Sequence, residues 1–472
     1  MALTNELWSL CVRRILFDDA LEGRGYETLL TNIPSLNIGD IPTGSRVLIR
    51  GDIDVPLNSD RTRVEDPERL LSLTPVIDLC KQRQLIPVVF GHIGRDKANT
   101  AKPLVSEVER LFDLKCSFVA DWMDDSSGEV PLLAAQQISQ AAPGTFVLLE
   151  QTRKYDLERL LWDKTTATAA DLTPDVIFAA ARSMSVHVSP YYVFDALASH
   201  NPDWSSVVVP GAMTRAYLGP YGYAELVGPL RRVRNARIVI LSGLKIDKLD
   251  ALEAVVQRGT ARLILCGGSI AMALVKANGG SIGLAEDPSS KDKKWYIPEP
   301  RVEQARRISA IALENGVELL TPIDYVLDDG TVATSIPKDR AQRDIGPGSI
   351  ALFTRKIEMY VRGSSTPSVI FYNGALGQFE LAEFARGTQS FVEFLCELAK
   401  SDERAQIYVG GGDGRLTLAR FGDPAAAAHI FTSGGTVLKV IGDRNLNYLK
   451  SLYVYNKLHE EISTVQQIAS AR

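Results

Sequence analysis

Cysteine is scarce in this 472-residue sequence. The five present, Cys11, Cys80, Cys116, Cys266 and Cys396, are scattered without a CxxC pair or a histidine-rich companion. Neither a disulfide framework nor a zinc site is indicated, and reduced, mostly buried thiols are expected. Long uncharged apolar runs are missing too. Glu6, Asp18 and Asp19 interrupt the apolar residues of the N-terminus, so neither a leader nor a membrane span is read there and a cytoplasmic location is expected. Positive charge is not in excess: 52 basic and 57 acidic residues give a formal charge of −5. That balance argues against general affinity for nucleic acid or an anionic membrane, so any basic site must be local. There is no internal repeat and no low-complexity tract.

What the sequence does have is a large apolar fraction, 45%, enough to bury a sizeable core and to divide into two domains or more. Short β-branched runs alternate with amphipathic stretches, the pattern of βαβ units and therefore of α/β domains built on parallel sheets. In the first half, strand ends run into charged loops: RVLIRGDIDVP from Arg46, IPVVFGHIGRD from Ile86, FVLLEQTRKY from Phe146 and YYVFDALASH from Tyr191. In the second half they run into glycines: RIVILSGLKIDK from Arg237, LILCGGSIA from Leu263, VIFYNGALGQFE from Val369, IYVGGGD from Ile407 and IFTSGGT from Ile430. Ligands of open parallel sheets sit outside the carboxyl ends of the strands, so one basic and one glycine-rich crevice are expected. Pro and Gly accumulate between Pro210 and Leu230, which predicts a boundary there with a connecting helix over YAELVGPL. The stretch from Glu286 to Arg301 reads as a polar surface loop.

In the first crevice Asp52, Asp54, His92, Arg95 and Arg153 all follow strands, and Arg69 opens an amphipathic segment. Converging guanidinium groups suit a small acidic metabolite better than a polymer, although any one of these arginines alone is as readily a surface ion pair. In the second crevice Lys245 and Lys248 open a helix, where a cation is unfavourable against the helix dipole unless an anion binds. A solvated helix start is the plainer alternative. Asn373, Gly374, Phe379 and Glu380 follow another strand and suit a nucleoside contact, or equally an ordinary NG turn followed by a buried Phe. Gly410, Gly411, Gly412 and Asp413 form either a tight strand-to-helix turn or a phosphate cradle with one carboxylate left for Mg²⁺.

Taken in order, these motifs resemble the phosphoglycerate kinase family, over roughly Leu36 to Leu438. RGDIDVP looks like the family's RVDFNVP, GHIGRD like SHLGRP, EQTR like ENLR and SGLKIDK like GGAKVSDK with one residue missing. DIGPGSIALF nearly matches its DIGP segment, NGALGQFE is similar to NGPMGVFE, GGGD is identical and FTSGGT resembles STGGG. The resemblance implies two Rossmann-like three-layer domains joined by a hinge helix, closing on each other in catalysis. Their expected limits are 36–215 for an acidic-substrate domain and 216–440 for a nucleotide domain, with an N-terminal extension over 1–35 and a tail over 441–472. It further implies a glycolytic phosphotransferase exchanging a phosphoryl group between 1,3-bisphosphoglycerate and MgADP or MgATP, acting as a monomer. Arg69, Lys245 and Lys248 would then serve the transferring and nucleotide phosphates, and Asp52, Asp54, His92, Arg95 and Arg153 the acidic substrate. Gly243, Gly267, Gly268, Asn373, Glu380, Gly411, Gly412 and Gly414 would line the nucleotide site, and Asp413 would hold Mg²⁺.

The sequence also departs from the family's pattern. Asp54 stands where the family has Asn, Gly414 replaces a Thr or Ser, and Ala375 replaces a Pro. The His-Arg pair of NDAFGTAHRAHAS falls on Asn201 and Pro202, with His200 one place early. Three readings follow: a divergent phosphoglycerate kinase, a related kinase for another small carboxylate, or a non-catalytic homologue that binds nucleotide.

Overall fold

The computed structural model describes residues 3–36, 38–162 and 174–470. The chain forms two compact units, Met1–Val227 with Asn445–Arg472, and Gly228–Arg444. None of the described helices is long and apolar enough to cross a membrane.

The first unit is built on six parallel strands, β1 (Arg46–Gly51), β2 (Ile86–Phe90), β3 (Lys115–Val119), β4 (Thr145–Leu149), β5 (Tyr191–Asp195) and β6 (Arg215–Leu218), in the order β3-β4-β2-β1-β5-β6. The inner strands are buried along nearly their whole length, as a parallel sheet covered on both faces requires. On one face Val47, Ile49, Val89 and Leu148 pack with Val76, Ile77 and Val108 from the helices Thr74–Gln82 and Val105–Phe112. The order reverses between β1 and β5, so the loops after these two strands open on a topological switch point.

The terminal helices belong to this unit. Thr4 caps the helix Asn5–Phe17 by accepting from the Leu7 amide. Its Trp8 stacks on Phe178 at 4.5 Å and donates its indole N–H to the Tyr455 hydroxyl, 3.0 Å away on the helix Asn447–Ser470. Tyr455 in turn donates to the Val207 carbonyl at 3.0 Å. The extension and the tail of the sequence are thus structural parts of one core.

In the second unit β7 (Ile238–Leu241), β8 (Leu263–Cys266) and β9 (Glu318–Leu320) are followed by a small antiparallel sheet of β10 (Tyr325–Leu327), β11 (Val332–Ala333) and β12 (Gln342–Ile345). Then come β13 (Ser368–Asn373), β14 (Ala405–Gly410) and β15 (His429–Phe431), giving a second six-stranded parallel sheet of order β15-β14-β13-β7-β8-β9. Here the switch point lies between β7 and β13. Ile238, Ile240, Ile370 and Val409 pack with Phe353 and Phe391 from the helices Pro347–Arg362 and Arg386–Ser401.

A division at 215/216 would cut β6. The observed division falls at Val227/Gly228, where the helix Pro220–Val227 ends and Pro229 opens the helix Pro229–Val233. Gly228, at φ −99° and ψ −103°, breaks what YAELVGPL suggested as one helix. The region 286–301 is likewise more ordered than a polar loop. It holds the 3-10 turn Pro288–Ser290 and the start of the helix Glu299–Glu314.

Replacing Tyr455 by Phe should leave the buried Trp8 N–H and the Val207 carbonyl without their shared partner. The expected loss is about 1–3 kcal/mol of stability in the first unit, read as a lowered urea midpoint by tryptophan fluorescence.

Candidate active site

The crevice of the first unit is organised around Arg50, the penultimate residue of β1, whose side chain has no exposed surface. Its Nε donates to Ser205 Oγ at 2.9 Å, its Nη1 to the Gly51 carbonyl at 2.8 Å and its Nη2 to His92 Nδ1 at 2.9 Å. Asp203 and Glu158 supply carboxylates 3.5 and 3.8 Å from Nη2. A guanidinium has no acceptor, so His92 Nδ1 accepts and the ring proton sits on Nε2. Burial, reinforced by Arg50 and Arg153, holds the His92 pKa well below the usual histidine range. His92 is therefore a neutral ring directing Nε2–H toward Asp54 Oδ2, 3.7 Å away.

Asp54 is held in place. Its Oδ2 accepts from Arg69 Nη1 at 2.9 Å and its Oδ1 from the Gly94 amide at 2.7 Å. Asp52 is 2% exposed, and neither of its oxygens has a hydrogen-bond partner of good geometry. Burial raises its pKa, although Arg69 at 3.9 Å and the Asp54 amide favour the anion. Arg153 is buried, donates to the Gly94 carbonyl and lies over the Trp162 ring at 5.0 Å. Arg159 lies over the same ring at 5.3 Å and donates to the Arg95 carbonyl. Arg95 itself extends into solvent. The structure therefore brings Asp52, Asp54, Arg69, His92 and Arg153 together and leaves the Arg95 side chain at the margin. Sequence reasoning passed over Glu158, Trp162, Asp203 and Ser205. No local pattern in the sequence marks them as members of a site.

In the second unit the loops after β7 and β13 meet at the switch point. The Ser242 amide donates to the Asn373 carbonyl at 2.9 Å, and Ser242 Oγ donates to the Ala375 carbonyl at 2.5 Å. Gly374 has φ +103°, and a Cβ there would stand 2.2 Å from the Ser242 carbonyl oxygen and 3.1 Å from Lys248 Nζ. Only glycine fits. A Cβ built on Gly243 would lie 3.4 Å from Lys248 Nζ and 3.7 Å from Asp413 Oδ2, so two backbone turns, an ammonium and a carboxylate border one small space.

Helices that begin at this end of the sheet include Lys248–Arg258 after β7, Gly268–Ala277 after β8 with Gly267 as its cap, Gly412–Phe421 after β14 with Gly411 as its cap, and Gly434–Ile441 after β15 with Ser433 as its cap. Their positive dipole ends favour an anion. Asn373 donates its side-chain amide to the Gly410 carbonyl at 2.7 Å, while its Oδ1 is buried without a partner. Gly412 and Asp413 are exposed at the helix start, Gly414 is buried behind them and Lys245 is exposed before Lys248. Glu380 is exposed beyond Phe379, and among the described residues no contact joins it to the Lys248 and Asp413 pair. Nor do three His, Cys, Asp or Glu side chains converge anywhere among the described residues to form a metal cage by themselves.

Two parallel α/β units, each with polar side chains or exposed backbone gathered at its switch point, define a two-domain protein with an arginine-carboxylate crevice and a glycine-lined crevice. The phosphoglycerate kinase family model matches residues 38–444. The phosphoglycerate kinase of Salinispora tropica is 29% identical over 434 residues, covering 87% of this chain and 96% of that protein. The chloroplastic phosphoglycerate kinase 2 of Arabidopsis thaliana is 27% identical over 440 residues, covering 89% and 83%. Among solved structures, phosphoglycerate kinase from Pyrococcus horikoshii OT3 superposes with a TM-score of 0.69 at 20% identity, covering 90% of this chain and 100% of that one. That from Coxiella burnetii gives 0.63 at 23%, covering 89% and 99%. The chain belongs to the phosphoglycerate kinase family.

Burial pulls the Lys248 pKa down from its ordinary 10.5 to about 8, against the opposing pull of Asp413. Between those values the unfolded chain binds more protons than the folded one, so this group's contribution to stability rises with pH across that window. Below pH 8 the charged, buried ammonium is a cost in the ligand-free protein. Lys248→Met should therefore raise the unfolding temperature at pH 7 by a few degrees, about 2–4 °C per kcal/mol for a domain of this size. The gain should shrink by pH 10, as followed by calorimetry at both pH values.

Proposed function

We propose that this chain transfers a phosphoryl group between MgATP and the carboxylate of a small acid, making an acyl phosphate and ADP, and catalyses the reverse exchange. The observation that carries this reading is the meeting of Lys248, Asp413 and the Gly243 and Gly374 turns at one switch point. A cation buried against a helix N-terminus is poorly placed unless an anion completes the site. The family's name makes phosphoglycerate the reference acceptor, and the formal charge of −5 favours small-molecule ligands over nucleic acid. We place the protein in the cytoplasm as a monomer.

Asp413 is the residue to hold Mg²⁺, since a lone exposed carboxylate suits an ion that takes the rest of its shell from water and phosphate oxygens. When bound, Mg²⁺ neutralises charge on the nucleotide phosphates. Lys248 and Lys245 would pair with nucleotide and transferring phosphates. Gly243, Gly267, Gly268, Gly411, Gly412 and Gly414 would let those phosphates approach backbone N–H groups. Asn373, through its unpartnered Oδ1, and Glu380 would meet the nucleoside or its phosphates. In the other unit Arg69 would stabilise the phosphoryl group in transfer, and Asp52, Asp54, His92, Arg95 and Arg153 would hold the acid. An acid that enters as its carboxylate needs no general base, so positioning and charge neutralisation supply the catalysis.

Asp413→Ala should leave the fold intact, because the side chain is exposed, while MgADP affinity falls at least about tenfold. Turnover should fall by about 10²-fold or more, as expected for losing several kcal/mol of metal-mediated charge stabilisation. Titration calorimetry with MgADP and a coupled assay for ADP release measure the two effects. Unchanged values would reduce the glycine turn to a turn.

A further inference from the structure

In the second unit the loop after β13 is held by two sets of contacts. One set joins it to the loop after β7: Ser242 Oγ donates to the Ala375 carbonyl at 2.5 Å, and a Cβ on Gly374 would stand 3.1 Å from Lys248 Nζ. The other set runs to elements outside the glycine turns. Thr388 Oγ1 accepts from the Leu376 and Gly377 amides at 3.1 and 3.0 Å, and the Gln378 amide donates to the Arg343 carbonyl at 2.8 Å. Three successive amides of one loop thus end on the helix Arg386–Ser401 and on β12.

Asp344, beside Arg343, fixes that helix in turn. Its Oδ2 accepts from the Gly387 amide at 2.6 Å and its Oδ1 from the Ile345 amide at 2.9 Å. A Cβ on Gly377 or on Gly387 would collide with Asp344 Oδ1, so the loop and the helix start both close on the carboxylate at positions that admit no side chain. A buried carboxylate is tolerated where donors answer it, and both of these donors are main-chain amides. Thr388 and Asp344 are themselves buried, so each reaches a ligand only through the loop it holds.

We propose that Thr388 and Asp344 are positioning residues for the nucleotide site. Thr388 holds the Leu376 and Gly377 amides, Asp344 holds the helix start that carries Thr388, and together they set the Gly374 turn against Lys248. The inference rests on the phosphoryl-transfer reading above and adds to its nucleotide site two residues that no phosphate touches. Without the Thr388 hydroxyl two amides lose their acceptor, and the loop is free to leave its place, carrying Ala375 and Gly374 with it. The affinity of a site that is assembled for only a fraction of the time falls by that fraction.

Thr388→Val removes the hydroxyl and keeps the shape, whereas Thr388→Ser keeps the hydroxyl, so the pair isolates the question. With the full chain, MgADP affinity read by titration calorimetry should fall by about tenfold or more in Thr388→Val and stay close to native in Thr388→Ser. Amide exchange followed by mass spectrometry should quicken over residues 374–378 in Thr388→Val while the rest of the second unit exchanges as in the native chain, a pattern that a general loss of stability would not give. Asp344→Asn reaches the same loop by a second route should Thr388→Val fail to fold. Whichever way the new amide turns, the Gly387 or the Ile345 N–H faces an NH2 group. At pH 8, above the value of about 7 to which burial pushes the native carboxyl, this variant should also lose MgADP affinity by about tenfold. Native affinity in both Thr388→Val and Asp344→Asn, or an equal loss in Thr388→Ser and Thr388→Val, would overturn the inference and leave phosphoryl transfer standing. Turnover of the native chain with MgATP and 3-phosphoglycerate tests that reading separately, and a native chain with no affinity for MgADP would sink both.

Discussion

A guanidinium with no access to water must find every partner inside the protein, and Arg50 imposes that condition on the whole end of the first sheet. Its donors reach the loop after β2 through His92 and the segment after β5 through Ser205, while Glu158 and Asp203 balance its charge. Ser205 is tied in turn to Glu158, which accepts from its amide at 3.0 Å and its hydroxyl at 2.8 Å. Burying such a charge is tolerable only when the surrounding network is complete. The neutral state of His92, the position of Asp203 and the cover over Arg153 all follow from satisfying one side chain. What a ligand meets in this crevice is the remainder of an internal electrostatic arrangement.

The second unit works by a different economy, exposing main chain where the first exposes side chains. At Gly374 the missing Cβ lets the loop after β13 touch the loop after β7, and that contact places Lys248 beside Asp413. Helix N-termini then supply directed N–H groups without the entropy cost of ordering long side chains. The carboxylate Asp344 at the end of β12 shows the same reliance on backbone donors. It accepts from the Gly387 and Ile345 amides at 2.6 and 2.9 Å, and burial nevertheless pushes its pKa up to about 7.

The sequence announced strands wherever both faces are buried, because a continuous β-branched run such as RVLIRG or IPVVF has few other uses. The edge strands β3 and β6 escaped notice: KCSFV at β3 is only half covered and RAYL at β6 spans four residues, so neither needs a long apolar run. Loop residues that carry their own chemical signal, such as the glycine turns, Lys248, Arg69 and Asp54, were legible as members of a site. Their pairings were less so. Asp203 lies 153 positions from Arg50, and nothing local marks an aspartate as the buried partner of a distant arginine. The helix break at Gly228 was hidden because a Gly-Pro pair either kinks a helix or separates two, and tertiary packing decides between them.

The first unit is discontinuous in sequence, with the whole of Gly228–Arg444 lying between its two segments. A ribosome releases the chain from its N-terminus, so the helix that carries Tyr455 emerges after every residue of the second unit. Until then Trp8 lacks its partner, and apolar surface on the first unit stays uncovered. The second unit, continuous in sequence, can complete its core while the other still waits. The arginine-carboxylate crevice would then be the last of the two sites to take shape during synthesis, and a chain stalled shortly before its end would possess a glycine-lined crevice without a finished counterpart.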